Sequence, residues 1–254
     1  MAFQHTGYVL GISFSPLDDA VRRQWDSLLD TLAGISARHP DAVMASSLAV
    51  EDMLLAHAIF QAGLPITVFT LDTGRLHPET LAMVGRIRQR YGVDLLVVKP
   101  DAQAVREHVA QHGEYAFYES TGLRKVCCGI RKVEPLRRVL KGRSAWLTGQ
   151  HRDQSVTREK LPEAEYDEVF GLHKYNPLAG WSSEQVWAVV RAFGIPYNPL
   201  HDQGYPSIGC EPCTRAVRPG EDARAGRWWW ENSSSKECGL HEANLKFYKA
   251  NDNG

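Results

Sequence analysis

No stretch of this 254-residue chain approaches the roughly 18 consecutive apolar residues that a membrane-spanning helix needs. Its N-terminus lacks a charged segment followed by an apolar run, so no secretory leader is read there. Internal repeats and low-complexity linkers are also missing. The formal net charge is only −1, which removes any overall attraction to nucleic acid. Cysteine is scarce and odd in number, with five residues. An odd count in a chain without a leader argues against a disulfide framework and for metal-binding or catalytic thiols. These absences predict a cytoplasmic protein that works on neither membrane nor nucleic acid. They leave homo-oligomerisation open.

What is present suffices for one sizeable core, since 43% of the residues are hydrophobic. Val21, Trp25, Leu28, Leu29, Leu32 and Ile35 recur at helical spacing within Leu17 to Arg38. Short apolar runs at Ala42–Ser46, Ile66–Leu71, Val93–Val98 and Ser144–Thr148 read as strands. Helical segments separate them, at Val50–Gln61, Pro78–Tyr91, Ala102–Gln111 and Ile130–Leu140. This alternation predicts an α/β fold, a mostly parallel sheet with helices on both faces. Ligands of such sheets bind at the carboxyl ends of strands. Three loops leave those ends: Ser46-Ser47, Asp72-Thr73-Gly74-Arg75 and Gly149-Gln150-His151-Arg152. Residues 150–168 read as an irregular, mobile loop over the pocket, and a helix capped by Ser182 or Ser183 follows. Residues 196–220 read as ordered loop, and Trp228-Trp229-Trp230 as either a docking anchor or apolar packing.

The cysteines divide four and one. Cys127 and Cys128 are adjacent, Cys210 and Cys213 form a C-x-x-C, and Cys238 stands near the end of the chain. Four thiolates suit zinc or an iron–sulfur cluster. Adjacent sulfurs project differently and serve one small ion awkwardly, whereas a cubane offers separate iron corners. A [4Fe-4S] cluster is therefore the favoured reading, with structural zinc and buried or redox thiols as alternatives. The chain around them is basic: Arg124 to Arg143 holds eight Lys or Arg and a single acid, Glu134. Such a run suits an anionic ligand or a charged cluster, or is simply a solvated helix face. Lys132 follows Cys128 by four residues, a spacing that shares one face of a helix.

Cys127-Cys128, Cys210-Glu211-Pro212-Cys213 and Lys236-Glu237-Cys238-Gly239-Leu240-His241 resemble the assimilatory adenylyl-sulfate (APS) reductases. Ser47–Met53, Leu71–Leu76, Thr148–Gln154 and Gly204–Cys210 extend the resemblance over nearly the whole chain from about residue 17. It implies an adenine nucleotide α-hydrolase-like (PP-loop type) fold. It implies reduction of APS to sulfite and AMP, with thioredoxin or a similar dithiol protein as donor, in sulfate assimilation and cysteine biosynthesis. Residues 1–218 would bind nucleotide and cluster, and 219–254 would form a mobile tail with the catalytic cysteine. Cys127, Cys128, Cys210 and Cys213 would hold the [4Fe-4S] cluster, and their presence implies APS rather than its 3′-phosphorylated form, PAPS.

Within that resemblance Cys238 is the nucleophile, forming an S-sulfocysteine that the dithiol protein resolves. Substrate contacts fall at Lys132, Gly149, Arg158, Arg224, Arg227 and His241. Leu71 and Gly149 would border the base and ribose, Ser46 and Ser47 the phosphate, and Thr73 and Gly74 the neighbouring turn. Singly, the serines also read as turn residues and Leu71 as core. The Ser-Gly-Gly-x-Asp-Ser loop of ATP pyrophosphatases is replaced here by Ser46-Ser47-Leu48-Ala49-Val50. Without glycine, a tight backbone approach to pyrophosphate is expected to be less available. That counts against the rival of a zinc-stabilised tRNA-thiolation relative. The other rival, a non-enzymatic cluster module, leaves Cys238 without a use.

Overall fold

The computed structural model describes residues 17–155 and 158–231. Helix α1 (Asp19–Arg38) starts where the Asp18 side chain accepts from the Val21 amide at 2.8 Å. It buries Val21, Trp25, Leu28, Leu32 and Ile35, the stripe set by its periodicity. Strand β1 (Val43–Ser46) leads to α2 (Val50–Gln61), which is apolar nearly all round and lies inside the core. Strand β2 (Thr67–Leu71), helix α3 (Pro78–Tyr91), strand β3 (Leu96–Val98) and helix α4 (Ala102–His112) follow. Proline opens α3, and Gly92 closes it in the left-handed region at φ 68°.

Helix α5 (Thr121–Cys128) runs through a π-helical turn, Gly129–Val133, into α6 (Glu134–Leu140) and strand β4 (Ala145–Leu147). The helix expected from Ile130 thus begins nine residues earlier, capped by Ser120 accepting from the Leu123 amide. Strands β5 (Ala164–Asp167) and β6 (Leu172–Tyr175) precede α7 (Ser183–Ala192), whose Ser182 and Gln185 form a reciprocal cap.

The sheet order is β3-β2-β1-β4-β6-β5. Every pairing is parallel except β5 with β6. The expected mostly parallel sheet is therefore present. A core formed by α1, α2, α3 and α7 covers one face. Leu136 and Leu140 of α6 pack with Val43, Phe69, Trp146 and Leu172 on the other. The chain leaves β1 towards β2 on one side, and β4 joins β1 on the other. A crevice opens at that switch point, between the loops after β1 and β4.

Part of the 150–168 stretch is not irregular, because Ala164–Asp167 is an edge strand. Its sequence, Ala-Glu-Tyr-Asp, is short, and it exposes Ala164 and Tyr166 while burying Asp167, the reverse of an apolar-inward strand. Pairing with β6 creates it, through a turn where Asp167 accepts from the Val169 and Phe170 amides. Among the described residues no helix is long and apolar enough to cross a membrane.

Candidate active site

A cavity of about 580 Å³ opens at the carboxyl ends of β1, β2 and β4. Ser46 and Ser47 line it from the first loop, Leu71 and Thr73 from the second, and Gly149 and Gln150 from the third. Lys132 reaches it from the π-helical turn, and Arg158, Arg224 and Arg227 come from later segments. Nine of the expected contacts therefore share one cavity. Gly74 does not line it. It takes φ 70° in a turn, and a β-carbon there would stand 3.3 Å from an Arg131 nitrogen. Its absent side chain admits the Arg131 guanidinium, which donates to the Thr73 carbonyl at 2.7 Å. Cys238 and His241 lie outside the described residues.

The loop after β1 departs from expectation. Leu48 adopts φ 64°, a left-handed conformation that bulky residues seldom take and that costs about 1–3 kcal/mol. Its side chain is fully buried, and its amide donates to Ser46 Oγ at 3.1 Å. Missing glycine therefore does not prevent the tight turn; core packing of Leu48 enforces it. Beyond the turn, Ala49 and Val50 bring the N-terminus of α2 to the cavity, where a helix favours anions.

Asp52, which motif reading missed, ties two of these loops together. Its carboxylate accepts from the Ser47 amide and hydroxyl, each at 2.6 Å, and from the Gly149 amide at 3.0 Å. Burial pushes its pKa up to about 6, and the Ser47 and Gly149 bonds limit the rise. Neighbouring Glu51 is half-buried, and hydrogen bonds with His151 and Gln154 outweigh its desolvation and hold its pKa below the usual carboxylate range. His151 is fully buried with Nε2 3.3 Å from Glu51, so only the first half of its loop faces the cavity. His201 Nε2 accepts from the Val50 amide at 3.1 Å. The available signal was an acidic pair, Glu51-Asp52, opening an otherwise apolar helix.

The four described cysteines line a second, smaller cavity together with Arg75, Phe117, Arg124, Arg131, Lys132 and Trp228. Cys127 and Cys128 end α5; Cys210 and Cys213 bracket a single 3₁₀ turn. None of the four is in a disulfide, and Thr73 Oγ1 lies 3.2 Å from Cys210 Sγ. Burial pushes the Cys127 thiol up, and burial with the neighbouring Cys210 pushes Cys213 up to about 12. Among the described residues no three His, Cys, Asp or Glu side chains converge to hold a single metal ion. Among the described residues Lys132 alone lines both cavities, reaching the cysteines through a π-helical turn rather than along a regular helical face.

The tryptophan run is mostly packing. Trp228 is buried, Trp230 stacks edge-on against Tyr118 with centroids 4.4 Å apart, and Trp229 is exposed.

The mostly parallel sheet with a switch-point crevice lined by a helix N-terminus, strand-end loops and arginines is an α/β fold of the adenine nucleotide α-hydrolase-like class. Residues 41–216 match the phosphoadenosine phosphosulfate reductase domain, and the chain belongs to that family. It is 60% identical over 220 residues to the adenosine 5′-phosphosulfate reductase of Burkholderia cepacia, covering 87% of this chain and 88% of that one. The phosphoadenylyl-sulfate reductase of Candida auris, solved as a phosphate complex, superposes with a TM-score of 0.64 at 26% identity. That match covers 81% of this chain and 100% of the other. An FMN adenylyltransferase from Candida glabrata, solved with FAD and inorganic pyrophosphate, shares the fold at 14% identity and a TM-score of 0.51, covering 92% and 85%.

Proposed function

We propose that the protein reduces APS to sulfite and AMP, using thiol chemistry at Cys238 and a thioredoxin-like dithiol protein as donor. The observation that carries this reading is one cavity. It joins three strand-end loops, Lys132 and three arginines, and it shares Lys132 with a four-cysteine chamber. A relative 60% identical to this chain is named for APS reduction, which supports APS over PAPS. The reaction belongs to sulfate assimilation, supplying sulfite for cysteine synthesis.

The steps follow from the groups present. Leu71 and Gly149 border the base and ribose, and Ser46, Ser47 and the start of α2 meet the phosphate. Lys132, Arg158, Arg224 and Arg227 surround the phosphosulfate, where planar guanidinium donors match oxyanions. The Cys238 thiolate attacks the sulfate sulfur; a sulfur–sulfur bond forms and the sulfur–oxygen bond to AMP breaks. Positive charge near the departing phosphate lowers that barrier. His241 lies three residues from Cys238 and is proposed as a further anion contact. A thiolate of the dithiol protein then attacks Cys238 and sulfite leaves with the electron pair. The second partner thiol closes a disulfide and frees Cys238. Within residues 219–254, the stretch up to Glu231 packs against the two cavities, and the segment after it is proposed to carry Cys238 between cavity and partner.

The cysteine chamber fits an iron–sulfur group by its donor chemistry. Four thiols line one enclosure whose remaining polar walls are cationic, as an anionic thiolate cluster requires. Cys127, Cys128, Cys210 and Cys213 would hold a [4Fe-4S] cluster. When bound it would link α5 to the C-x-x-C segment and set the local electrostatics, both reducing electrons coming from thiols.

Sulfite release tests the reading. Purified protein with APS and a thioredoxin system should release sulfite and AMP in equal amounts. PAPS should be the poorer substrate. Release of neither product would end it.

A further inference from the structure

Two non-glycine residues among those described have left-handed backbones, Leu48 and Trp228. Leu48 shapes the nucleotide cavity. Trp228, at φ 42°, is 1% exposed and lines the cysteine chamber instead. Such a conformation in a bulky residue persists only where its surroundings hold it, and it marks sites where placement matters. Here its amide donates to the Cys213 carbonyl at 3.0 Å, and its carbonyl accepts from the Glu231 amide at 2.8 Å.

The strained backbone sets the indole between two guanidinium groups. Arg124 from α5 lies 4.5 Å from the ring centroid, and Arg227 lies 4.6 Å from it. Arg124 is fully buried, with its charge answered by both Glu231 oxygens at 2.5 and 2.8 Å. Arg227 has no carboxylate partner among the described residues. Its Nη1 donates to the Ile208 carbonyl at 3.1 Å and to Ser207 Oγ at 3.3 Å, and its Nε is buried without a partner. Gly209 has no room for a side chain, because a β-carbon there would stand 2.4 Å from Arg227 Nη2. The indole face is thus the electrostatic surface on which the Arg227 guanidinium rests. Its full charge stays available to a ligand.

We propose that Trp228 is a positioning residue for anion recognition. Its indole aims Arg227 at the charged group of the bound nucleotide and ties that arginine to the wall of the cysteine chamber. This role rests on the reading of the larger cavity as the nucleotide site. The column Glu231–Arg124–Trp228–Arg227 connects the two cavities by a route separate from Lys132.

The test titrates AMP and adenosine calorimetrically into the full chain, metal-loaded as purified. The proteins are wild type, Trp228→Leu, Trp228→Phe, Arg227→Ala and the Arg227→Ala/Trp228→Leu double variant. Trp228→Leu should weaken AMP about tenfold while leaving adenosine within about twofold, and Trp228→Phe should weaken AMP by only about threefold. In the Arg227→Ala background the leucine substitution should add nothing. Equal losses for AMP and adenosine would reduce Trp228 to scaffold and overturn the proposal, as would a full additional loss without Arg227. Should the leucine variant not fold, Trp228→Phe decides. A loss of about threefold confined to AMP supports the role, and unchanged AMP affinity or a loss shared by adenosine overturns it. Wild-type protein that binds neither compound would instead overturn the nucleotide reading itself, and this role with it.

Discussion

Gly149 stands so close to Asp52 that a β-carbon on it would lie 2.3 Å from a carboxylate oxygen and 3.0 Å from the Asp52 amide. The loops after β1 and β4 thus meet across one carboxylate, which also holds Ser47. Gly149→Ala should therefore act at a distance from its own loop, pushing Asp52 off Ser47. A loss of about 1–3 kcal/mol in urea unfolding is expected from overpacking, together with weaker AMP binding.

The same carboxylate has a pH signature. Its raised value of about 6 makes the folded protein bind more protons than the unfolded chain between about pH 4 and 6. Its contribution to stability is thus fully present at low pH and declines as the pH rises through that window. Asp52→Asn removes this dependence along with the carboxylate's hydrogen bonds. The destabilisation it causes should be larger at about pH 5 than at about pH 7.5, by about 1 kcal/mol. Paired urea unfolding curves at the two pH values check it.

His57 titrates with the opposite sign. It is buried inside α2 with Nδ1 3.0 Å from the Tyr91 hydroxyl, and burial, aided by Arg90, lowers its pKa to about 4. The folded state then binds fewer protons than the unfolded chain. Stability is full above about pH 6.5 and falls as the pH drops towards 4. His57→Gln should flatten this acid limb, recovering about 2 kcal/mol of the wild-type loss between about pH 7.5 and 5.

Among the described residues Lys132 is the charge shared by the strand-end cavity and the cysteine chamber. Lys132→Ala should slow sulfonate transfer in a single turnover by at least about tenfold, with the far-ultraviolet circular dichroism of wild type retained. An unchanged single-turnover rate would remove Lys132 from the reaction.

The cavity floor was legible because parallel β–α alternation puts loops at strand carboxyl ends, and Ser46, Ser47, Leu71, Thr73 and Gly149 all fell there. The shared chamber of Cys127, Cys128, Cys210 and Cys213 was legible from thiol spacing, since little else explains a vicinal pair and a distant C-x-x-C. Strands β5 and β6 were not, because Ala-Glu-Tyr-Asp is short and faces its apolar residues outward, Leu-His-Lys-Tyr has no clean alternation, and both owe their form to pairing with each other and with β4. Gly74 falls outside the cavity lining and faces the Arg131 guanidinium, a placement that a glycine in a turn does not reveal in sequence. Leu48 and Trp228 were invisible, as neither residue favours a left-handed backbone and tertiary packing imposes it on both.

The central claim is that Cys238 takes the sulfonate from APS. Mass spectrometry of protein treated with APS and no reductant tests it directly. The prediction is one sulfonate adduct, located on Cys238, absent from Cys238→Ser and released as sulfite on adding a reduced dithiol protein. Sulfite production without an adduct, or an adduct that survives Cys238→Ser, would contradict the account.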